Sequence, residues 1–431
     1  MRVNYYIGVD LGSTTSKAVI LDETGQLIGR GLTNTRSNYK VATEVAEQEA
    51  KINARFSLFE EELIKRRPIE KTKLDKILTE FELFFRYAQY LHHLVVLKGK
   101  ISEELQTFSA HQKEEITSLI NDIFNHLEEN AYDFYKEMGR DKSRFLRDLI
   151  GSQYMKLAEK HTRYLELLMG IYDKCILYVE NQILEMNVKE MARKALENVA
   201  RTIDISEIQH DIDEAFENAS KKGMHIKRKV GTGYGRQHLP YPKDQIQSEI
   251  LCHGLGAHHM FPETRTILDI GGQDTKAIQV DENGMVSSFF MNDRCAAGCG
   301  RFLGYIADEL NISLHELGPL SLKANKRLKV SSTCTVFSSV ELRDRLSLGE
   351  RREDILAGLH RAIVKRAMSL VARSGGVRNQ FTFSGGVAKN QAVTESVKEM
   401  IKENYADITI NVSPDSIYTG AIGAALFAKR G

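Results

Sequence analysis

Two short stretches of this chain repeat one arrangement of residues that can do chemistry. In the first, the apolar run Tyr5-Tyr6-Ile7-Gly8-Val9 leads to Asp10, then to Gly12-Ser13-Thr14-Thr15-Ser16-Lys17, then to Ala18-Val19-Ile20-Leu21. In the second, Thr266-Ile267-Leu268 leads to Asp269, then to Gly271-Gly272-Gln273-Asp274-Thr275-Lys276, then to Ala277-Ile278. Both read strand, aspartate, glycine-rich turn, hydroxyl, lysine, strand. Such turns let backbone N–H groups and hydroxyls wrap phosphate oxygens at close range. An aspartate at the end of the preceding strand is placed to hold Mg²⁺ through waters. Alone, either stretch is equally a plain polar hairpin. Two of them facing each other would hold the β- and γ-phosphates from both sides, with Asp10 and Asp269 flanking the metal. The G-x-x-x-x-G-K-[ST] loop is absent.

A third glycine turn, Ser384-Gly385-Gly386, follows the apolar run Phe381-Thr382-Phe383 and precedes a helical pattern from Asn390. That placement suits a nucleoside or α-phosphate held at a helix N-terminus. The remaining chemistry is thiol chemistry. Cys295-Ala296-Ala297-Gly298-Cys299 and Ser331-Ser332-Thr333-Cys334 each precede a helix pattern. Five cysteines, an odd number, argue against a disulfide framework. A plain phosphotransferase has no evident use for such loops, so the first reading couples nucleotide binding to a redox centre, against a bland reading of buried structural cysteines. Three other features read as structural. Gly231-Thr232-Gly233-Tyr234-Gly235-Arg236 is a strand-to-loop turn, Cys252-His253 with His258-His259 matches no zinc spacing, and Cys175 on a helical pattern is a small buried hydrophobe.

The elements that position these residues fall into two textures. Residues 1–40 and 223–431 alternate strands, glycine turns and helices. Residues 41–222 hold one proline, Pro68, and apolar residues at helical spacing, such as Phe84, Tyr87, Leu91, Leu94 and Val95. The latter predict a bundle of five or six helices broken near Arg67-Pro68, Gly99, Gly139 and Asn187, with Phe81, Phe84, Phe85, Tyr87 and Tyr90 in its core. Two segments with small-residue faces, from Glu249 and from Thr419, predict closely packed helices. With 42% hydrophobic and 27% charged residues and a net charge of +1, nothing argues for nucleic acid as a partner. No apolar run approaches the about 20 residues of a membrane helix, and the start shows no signal peptide, so a cytoplasmic protein without membrane contact is expected.

Residues 10–17, 249–257, 268–276, 383–390 and 419–425 together resemble the five motifs of the actin/hexokinase/heat-shock-chaperone ATPase superfamily: phosphate 1, connect 1, phosphate 2, adenosine and connect 2. Within it, residues 291–298 and 330–337 resemble the cluster loops of the BadF/BadG/BcrA/BcrD-type ATPases, the branch of 2-hydroxyacyl-CoA dehydratase activators and of the ATPase subunits of benzoyl-CoA reductase. The resemblance implies an α/β, two-lobed actin-like ATPase with ribonuclease H-like lobes and a large all-α insertion in the first lobe. Residues 1–40 plus 223–265 would form that lobe, 41–222 the insertion and 266–431 the second lobe. By position it assigns Asp10 and Asp269 to Mg²⁺ and its waters, and Gly12, Ser13, Thr14, Thr15 and Lys17 to phosphate from one side. Gly271, Gly272, Gln273 and Asp274 take the other side, Gln273 counted with the catalytic groups. Ser384, Gly385, Gly386 and Asn390 would border the nucleoside of ATP or ADP. Glu249 takes the connect-1 acid position, as base or water orienter.

Cys295 and Cys334 match the family's cluster ligands. A [4Fe–4S] cluster takes four thiolates, so the resemblance implies one cluster bridging two subunits. Cys299 departs from the threonine usual in these activators. The long helical insertion resembles that of the larger ATPase subunit of benzoyl-CoA reductase. The implied function is ATP-driven transfer of low-potential electrons from ferredoxin, through a cluster shared with a homologous smaller ATPase subunit, to iron–sulfur subunits that bind an aromatic acyl-CoA. The alternatives are an activator of a 2-hydroxyacyl-CoA dehydratase, a small-molecule kinase of the same fold and a chaperone-like or filament ATPase.

Overall fold

The computed structural model describes residues 3–35, 38–138, 146–180, 187–292, 300–326, 328–330, 335–405 and 407–431. They divide into two compact units, Met1–Lys51 with Met224–Gly431, and Ile52–Gly223.

The first unit opens with strands β1 (Asn4–Leu11), β2 (Thr15–Leu21) and β3 (Leu27–Asn34), an antiparallel meander of apolar residues split by short polar turns. Helix α1 (Tyr39–Arg66) follows and carries the boundary between the units at Lys51/Ile52. Its first turns lie hard on β3, since a Cβ on Gly31 would meet the Ala46 carbonyl oxygen at 1.9 Å.

The second unit is helical throughout its described residues. Beyond α1 come α2 (Lys71–Glu104), α3 (Ala110–Glu129), α4 (Ala131–Met138), α5 (Leu146–Ala158), α6 (Leu165–Glu180), α7 (Val188–Thr202) and α8 (Gln209–Lys221). Its core gathers Leu94, Leu97, Ile101, Ile120, Phe124, Tyr154, Tyr172 and Ile176, the i, i+3, i+4 stripes of facing helices. Phe81, Phe84, Phe85 and Tyr90 are buried as expected, and so is Cys175, whose thiol pKa burial raises. The bundle has more helices than the five or six expected. Gly99 does not break α2: with nothing within 4 Å of a Cβ there, it lies on an open face and costs only helix propensity. Val95, expected on the apolar stripe, is 64% exposed because the stripe turns through Leu94 instead. The break at Asn187 is real, since its side chain accepts the Glu190 N–H as the N-cap of α7. Gly139 lies outside the described residues.

The chain returns to the first unit with β4 (His225–Thr232), which adds parallel to β1 and closes a sheet of order β3-β2-β1-β4. After α9 (Glu249–Met260), strands β5 (Thr264–Ile270), β6 (Thr275–Val280) and β7 (Val286–Asn292) form a second meander. Helices α10 (Gly300–Glu309), α11 (Leu317–Ser321), α12 (Thr335–Ser347) and α13 (Arg352–Ser374) precede β8 (Gln380–Ser384). Helix α14 (Gln391–Asn404), the short β9 (Ile410–Asn411) and α15 (Thr419–Arg430) end the chain. The second sheet, β7-β6-β5-β8-β9, copies the first: a meander with a parallel strand added beside its first strand. Each sheet is covered by a helix from elsewhere in the chain. Ala421, Ile422 and Ala425 of α15 pack on Val19 and Leu21 of the first sheet, while Ala257 of α9 packs on Ile267 and Ile278 of the second. The two small-faced helices cross at backbone contact: a Cβ on Gly256 would meet the Thr419 carbonyl oxygen at 2.0 Å, and one on Gly423 the Cys252 carbonyl oxygen at 1.8 Å. Among the described residues no helix is long and apolar enough to cross a membrane.

Candidate functional site

The two aspartate hairpins are superimposable in register. Asp10 pairs with Lys17 across β1–β2, and Asp269 with Lys276 across β5–β6. Each turn is closed by the same backbone bond, Gly12 N–H to Thr15 O at 3.2 Å and Gly271 N–H to Asp274 O at 2.9 Å. The turns face one another, for a Cβ on Gly272 would strike Thr14 Oγ1 at 2.2 Å. Any larger residue at 272 would push the turns apart. Opposed glycine turns of this kind can form a two-sided anion cradle.

The two carboxylates differ in company. Asp10 is 3% exposed; its Oδ2 meets Lys17 Nζ at 3.2 Å, and its Oδ1 has no hydrogen-bond partner. A buried carboxylate oxygen left unpartnered is costly unless something absent from the protein alone completes it. Mg²⁺ characteristically takes one or two carboxylates, several waters and substrate phosphates, so Asp10 fits that ion. No convergence of three His, Cys, Asp or Glu side chains is required, and none occurs among the described residues.

Asp269, 1% exposed, is fully engaged. Its Oδ2 accepts from Ser384 Oγ at 2.8 Å and lies 3.2 Å from His253 Nδ1, and its Oδ1 is 3.8 Å from Lys276 Nζ. The His253 contact has ion-pair distance without hydrogen-bond alignment. Burial would raise the Asp269 pKa, but His253 and Lys276 hold it well below the usual carboxylate range. Burial would likewise lower His253, yet the Asp269 charge outweighs it and the imidazole pKa is raised. Lys276, 2% exposed, sends Nζ to Glu249 Oε1 at 2.9 Å and Asp274 Oδ2 at 2.8 Å as well. Burial pulls its pKa down, and Asp269, Glu249 and Asp274 together drive it above the usual lysine value.

These contacts place the expected residues around the second hairpin. Glu249, in the first turn of α9, reaches the second hairpin through Lys276, which also holds Asp274 of the turn itself. Ser384 is turned to Asp269, and Asn390 caps α14 by accepting from Ala392 N and Val393 N. The Asn390 amide also meets His360 Nε2 at 3.2 Å, and His360 Nδ1 lies 2.9 Å from Ser321 Oγ. Gly385, with φ +87°, lets its Cα lie on the Ile270 carbonyl, where a Cβ would sit at 2.3 Å, while Gly386 is open. Gln273 is half-buried beside the second turn with no hydrogen bond among the described residues. Lys17 Nζ curls back over the first turn, 3.0 Å from where a Gly12 Cβ would be.

Two site residues escaped sequence reasoning. His253 falls one helical turn after Glu249 on the same face of α9, and that i, i+4 pair was the available signal. His360 carried no local signal at all. Cys295, Cys299 and Cys334 lie outside the described residues. The helix that follows the first cysteine loop is nevertheless placed: Gly300 N–H donates to Gly271 O at 2.8 Å and Arg301 N–H to Gly272 O at 2.7 Å. The first two N–H groups of this helix are therefore spent on the Gly271-Gly272 turn.

A model of the BadF/BadG/BcrA/BcrD ATPase family matches residues 7–428. The chain is 40% identical over 257 residues to the (R)-2-hydroxyglutaryl-CoA dehydratase activating ATPase of Acidaminococcus fermentans, covering 60% of this chain and 93% of that protein. It is 34% identical over 212 residues to one of the subunits of benzoyl-CoA reductase from Thauera aromatica, covering 49% and 74%. The crystal structure of component A of the Acidaminococcus fermentans (R)-2-hydroxyglutaryl-CoA dehydratase matches with a TM-score of 0.55 at 23% identity, over 99% of this chain and 98% of that one. The fold is that of a two-lobed actin-like ATPase.

Proposed function

The chain belongs to the BadF/BadG/BcrA/BcrD ATPase family, and from that premise we propose that it hydrolyses MgATP to drive low-potential electrons into an iron–sulfur partner acting on an acyl-CoA. One observation carries the coupling: the first two N–H groups of α10 hang on the carbonyls of the phosphate-2 turn. A turn that shifts when phosphate is bound or lost displaces the helix that begins just after the Cys295 loop. Nucleotide can bias that helix only as far as it binds the two arrangements unequally.

In this reading Asp10 orients Mg²⁺ and its waters, and the turns at Gly12 and Gly271 donate to phosphate oxygens. Lys276 holds Glu249 at the cleft, where its carboxylate can orient water. Phosphoryl transfer to water asks for little beyond such positioning and charge stabilisation. Cys295 and Cys334 would supply two thiolates to a [4Fe–4S] cluster, completed by two from a homologous subunit. Such a cluster, when bound, supplies one-electron storage at low potential; ferredoxin is the proposed donor.

Two acceptors fit, each favoured by its own observation. Identity of 40% over nearly the whole of a dehydratase activating ATPase supports a 2-hydroxyacyl-CoA dehydratase. The helical unit of residues 52–223, together with 34% identity over 212 residues to a benzoyl-CoA reductase component, supports a reductase dearomatising an aromatic acyl-CoA. Anaerobic protein purified with its partner should hold about four irons per pair of subunits and lose them on Cys295→Ser or Cys334→Ser. Colourless protein with full ATPase turnover would sink the redox reading. Supplying the protein with dehydratase or with reductase catalytic subunits, and asking which gains ATP-dependent turnover, separates the acceptors.

A further inference from the structure

The turn from Gly231 to Arg236 has a structural twin. Strand β4 leaves the first sheet at Thr232, the register partner of Asp10, just as β8 leaves the second at Ser384, the partner of Asp269. The next residue in each is a glycine in left-handed backbone, Gly233 at φ +95° and Gly385 at φ +87°. Both glycines sit on the carbonyl that follows the aspartate: a Cβ would lie 2.7 Å from Leu11 O in the first and 2.3 Å from Ile270 O in the second. The second turn is the expected nucleoside turn. Its twin therefore reaches the same cleft from the opposite lobe, and it carries a cation.

That cation is Arg236. Its backbone N–H and its Nη1 both donate to Gly233 O, at 3.1 and 3.3 Å, folding the guanidinium back over Gly233. Gly233 in turn abuts the unpartnered Asp10 Oδ1, 2.3 Å from where its Cβ would be. Arg236 is half-buried, and among the described residues its side chain has that single acceptor and no carboxylate. A guanidinium has five N–H donors, so four point elsewhere. Charge arithmetic gives them a target. Lys17 is paired with Asp10 and Lys276 with three carboxylates, and MgATP still carries net negative charge. Among the described residues, Arg236 is the cation at this end of the cleft left unneutralised.

We propose that Arg236 is a catalytic residue of ATP hydrolysis, its guanidinium binding non-bridging phosphate oxygens beside the Asp10-bound Mg²⁺ and holding them more tightly as hydrolysis proceeds. This rests on reading the paired turns as the ATP site. In the step, the water oxygen bonds to the γ-phosphorus and the bond from that phosphorus to the ADP oxygen breaks with its electron pair on ADP. Water's proton ends on phosphate or solvent, and Arg236 stays protonated throughout. An arginine supplied in cis to developing phosphoryl charge is a strong term in other nucleotide hydrolases.

The test uses the full chain with its partner and compares wild type with Arg236→Ala and Arg236→Lys. We expect Arg236→Ala to lower kcat at least about a hundredfold, with KM for MgATP and Kd for MgADP within about threefold. Affinity for MgADP with aluminium fluoride, a mimic of the transferring phosphoryl group, should fall at least about thirtyfold, with free guanidinium restoring part of the rate. Arg236→Lys should keep the melting temperature yet lose about tenfold or more in kcat, because a point charge does not replace a fork. Full turnover in either variant would overturn the assignment. So would parallel loss of kcat, MgADP affinity and melting temperature, which marks a merely structural arginine. Wild-type protein that neither binds nor hydrolyses MgATP would instead overturn the ATPase reading beneath it.

Discussion

Asp10 and Asp269 hold equivalent positions on two hairpins of one design, each facing a lysine seven residues on. Around Asp10 the protein stops short: one lysine, 12% exposed, and one oxygen without a partner. Around Asp269 it goes to completion, with His253, Ser384 and Lys276 all in contact and Lys276 tied to two further carboxylates. Backbone duplication thus sets where both charges lie, and the surrounding side chains divide the labour. The first hairpin is left open for a ligand. The second is a finished anchor joining its own glycine turn to α9. Both links of α9 to that hairpin, Glu249 and His253, come from one face of the helix, so displacing the turn pulls on the crossing with α15 as well.

The comparison breaks most visibly at Asp269. Asp269→Asn leaves Lys276 and His253 with less opposing charge in a buried site, and removing one member of such a set costs about 3–5 kcal/mol. Lys276→Met, which strands three carboxylates, should cost as much. With no tryptophan in the chain, urea unfolding followed by far-UV circular dichroism is the measurement. A loss below about 1 kcal/mol in both variants would show that the second hairpin is not an anchor.

The second lobe should also be the acid-sensitive one. Burial lowers the His360 pKa to about 4, against an ordinary value of 6.5. Below pH 6.5 the unfolded chain takes a proton that folded His360 refuses, so stability is full above that pH and declines until about pH 4. The total is on the order of 3 kcal/mol. His360→Gln should flatten this part of the profile. His253 acts with the opposite sign: its raised pKa contributes stability that fades as pH rises through the folded value. A flat wild-type profile from pH 6.5 to 4 would refute the His360 assignment.

Asp10→Asn should do the reverse of Asp269→Asn, sparing the fold and removing function. The unpartnered oxygen makes no hydrogen bond to lose, whereas a neutral amide is a poor ligand for Mg²⁺. ATP hydrolysis should fall at least about a hundredfold and lose its response to added Mg²⁺, with the melting temperature within about 2 °C of wild type. Unchanged turnover would place the metal elsewhere.

How far this division could be read from the sequence depends on the range of each interaction. The hairpins, the two small-faced helices and the helix that begins at Asn390 are local patterns, and they stand where expected. The asymmetry between Asp10 and Asp269 was hidden, because it is made by residues far away in sequence. His253 arrives from α9, and Ser384 was legible only as part of its own glycine turn. The Gly233 turn reads as a default loop for the same reason: its kinship with Gly385 lies in strand register and φ, not in shared letters. Gly99 shows the converse error. Glycine announces a break only when the helix has somewhere else to go, and α2 is held by Leu94, Leu97 and Ile101 on either side.

The finest test of the comparison is Lys17→Met against Lys276→Met. Register makes the two lysines equivalent, so any difference in cost measures environment alone. Lys17 Nζ meets one carboxylate at 3.2 Å from a side chain 12% exposed, while Lys276 meets three from one 2% exposed. Breaking the Lys17–Asp10 pair leaves one buried carboxylate without its lysine, whereas losing Lys276 strands three. Lys17→Met should therefore destabilise the protein in urea unfolding, but by clearly less than Lys276→Met. Its larger effect belongs to the ligand: without Lys17 nothing among the described residues steadies the Asp10 carboxylate that would hold Mg²⁺, so the variant should raise KM for MgATP several-fold. If Lys17→Met instead destabilised the protein as much as Lys276→Met, the first hairpin would be an anchor like the second, and the cleft would have no open side.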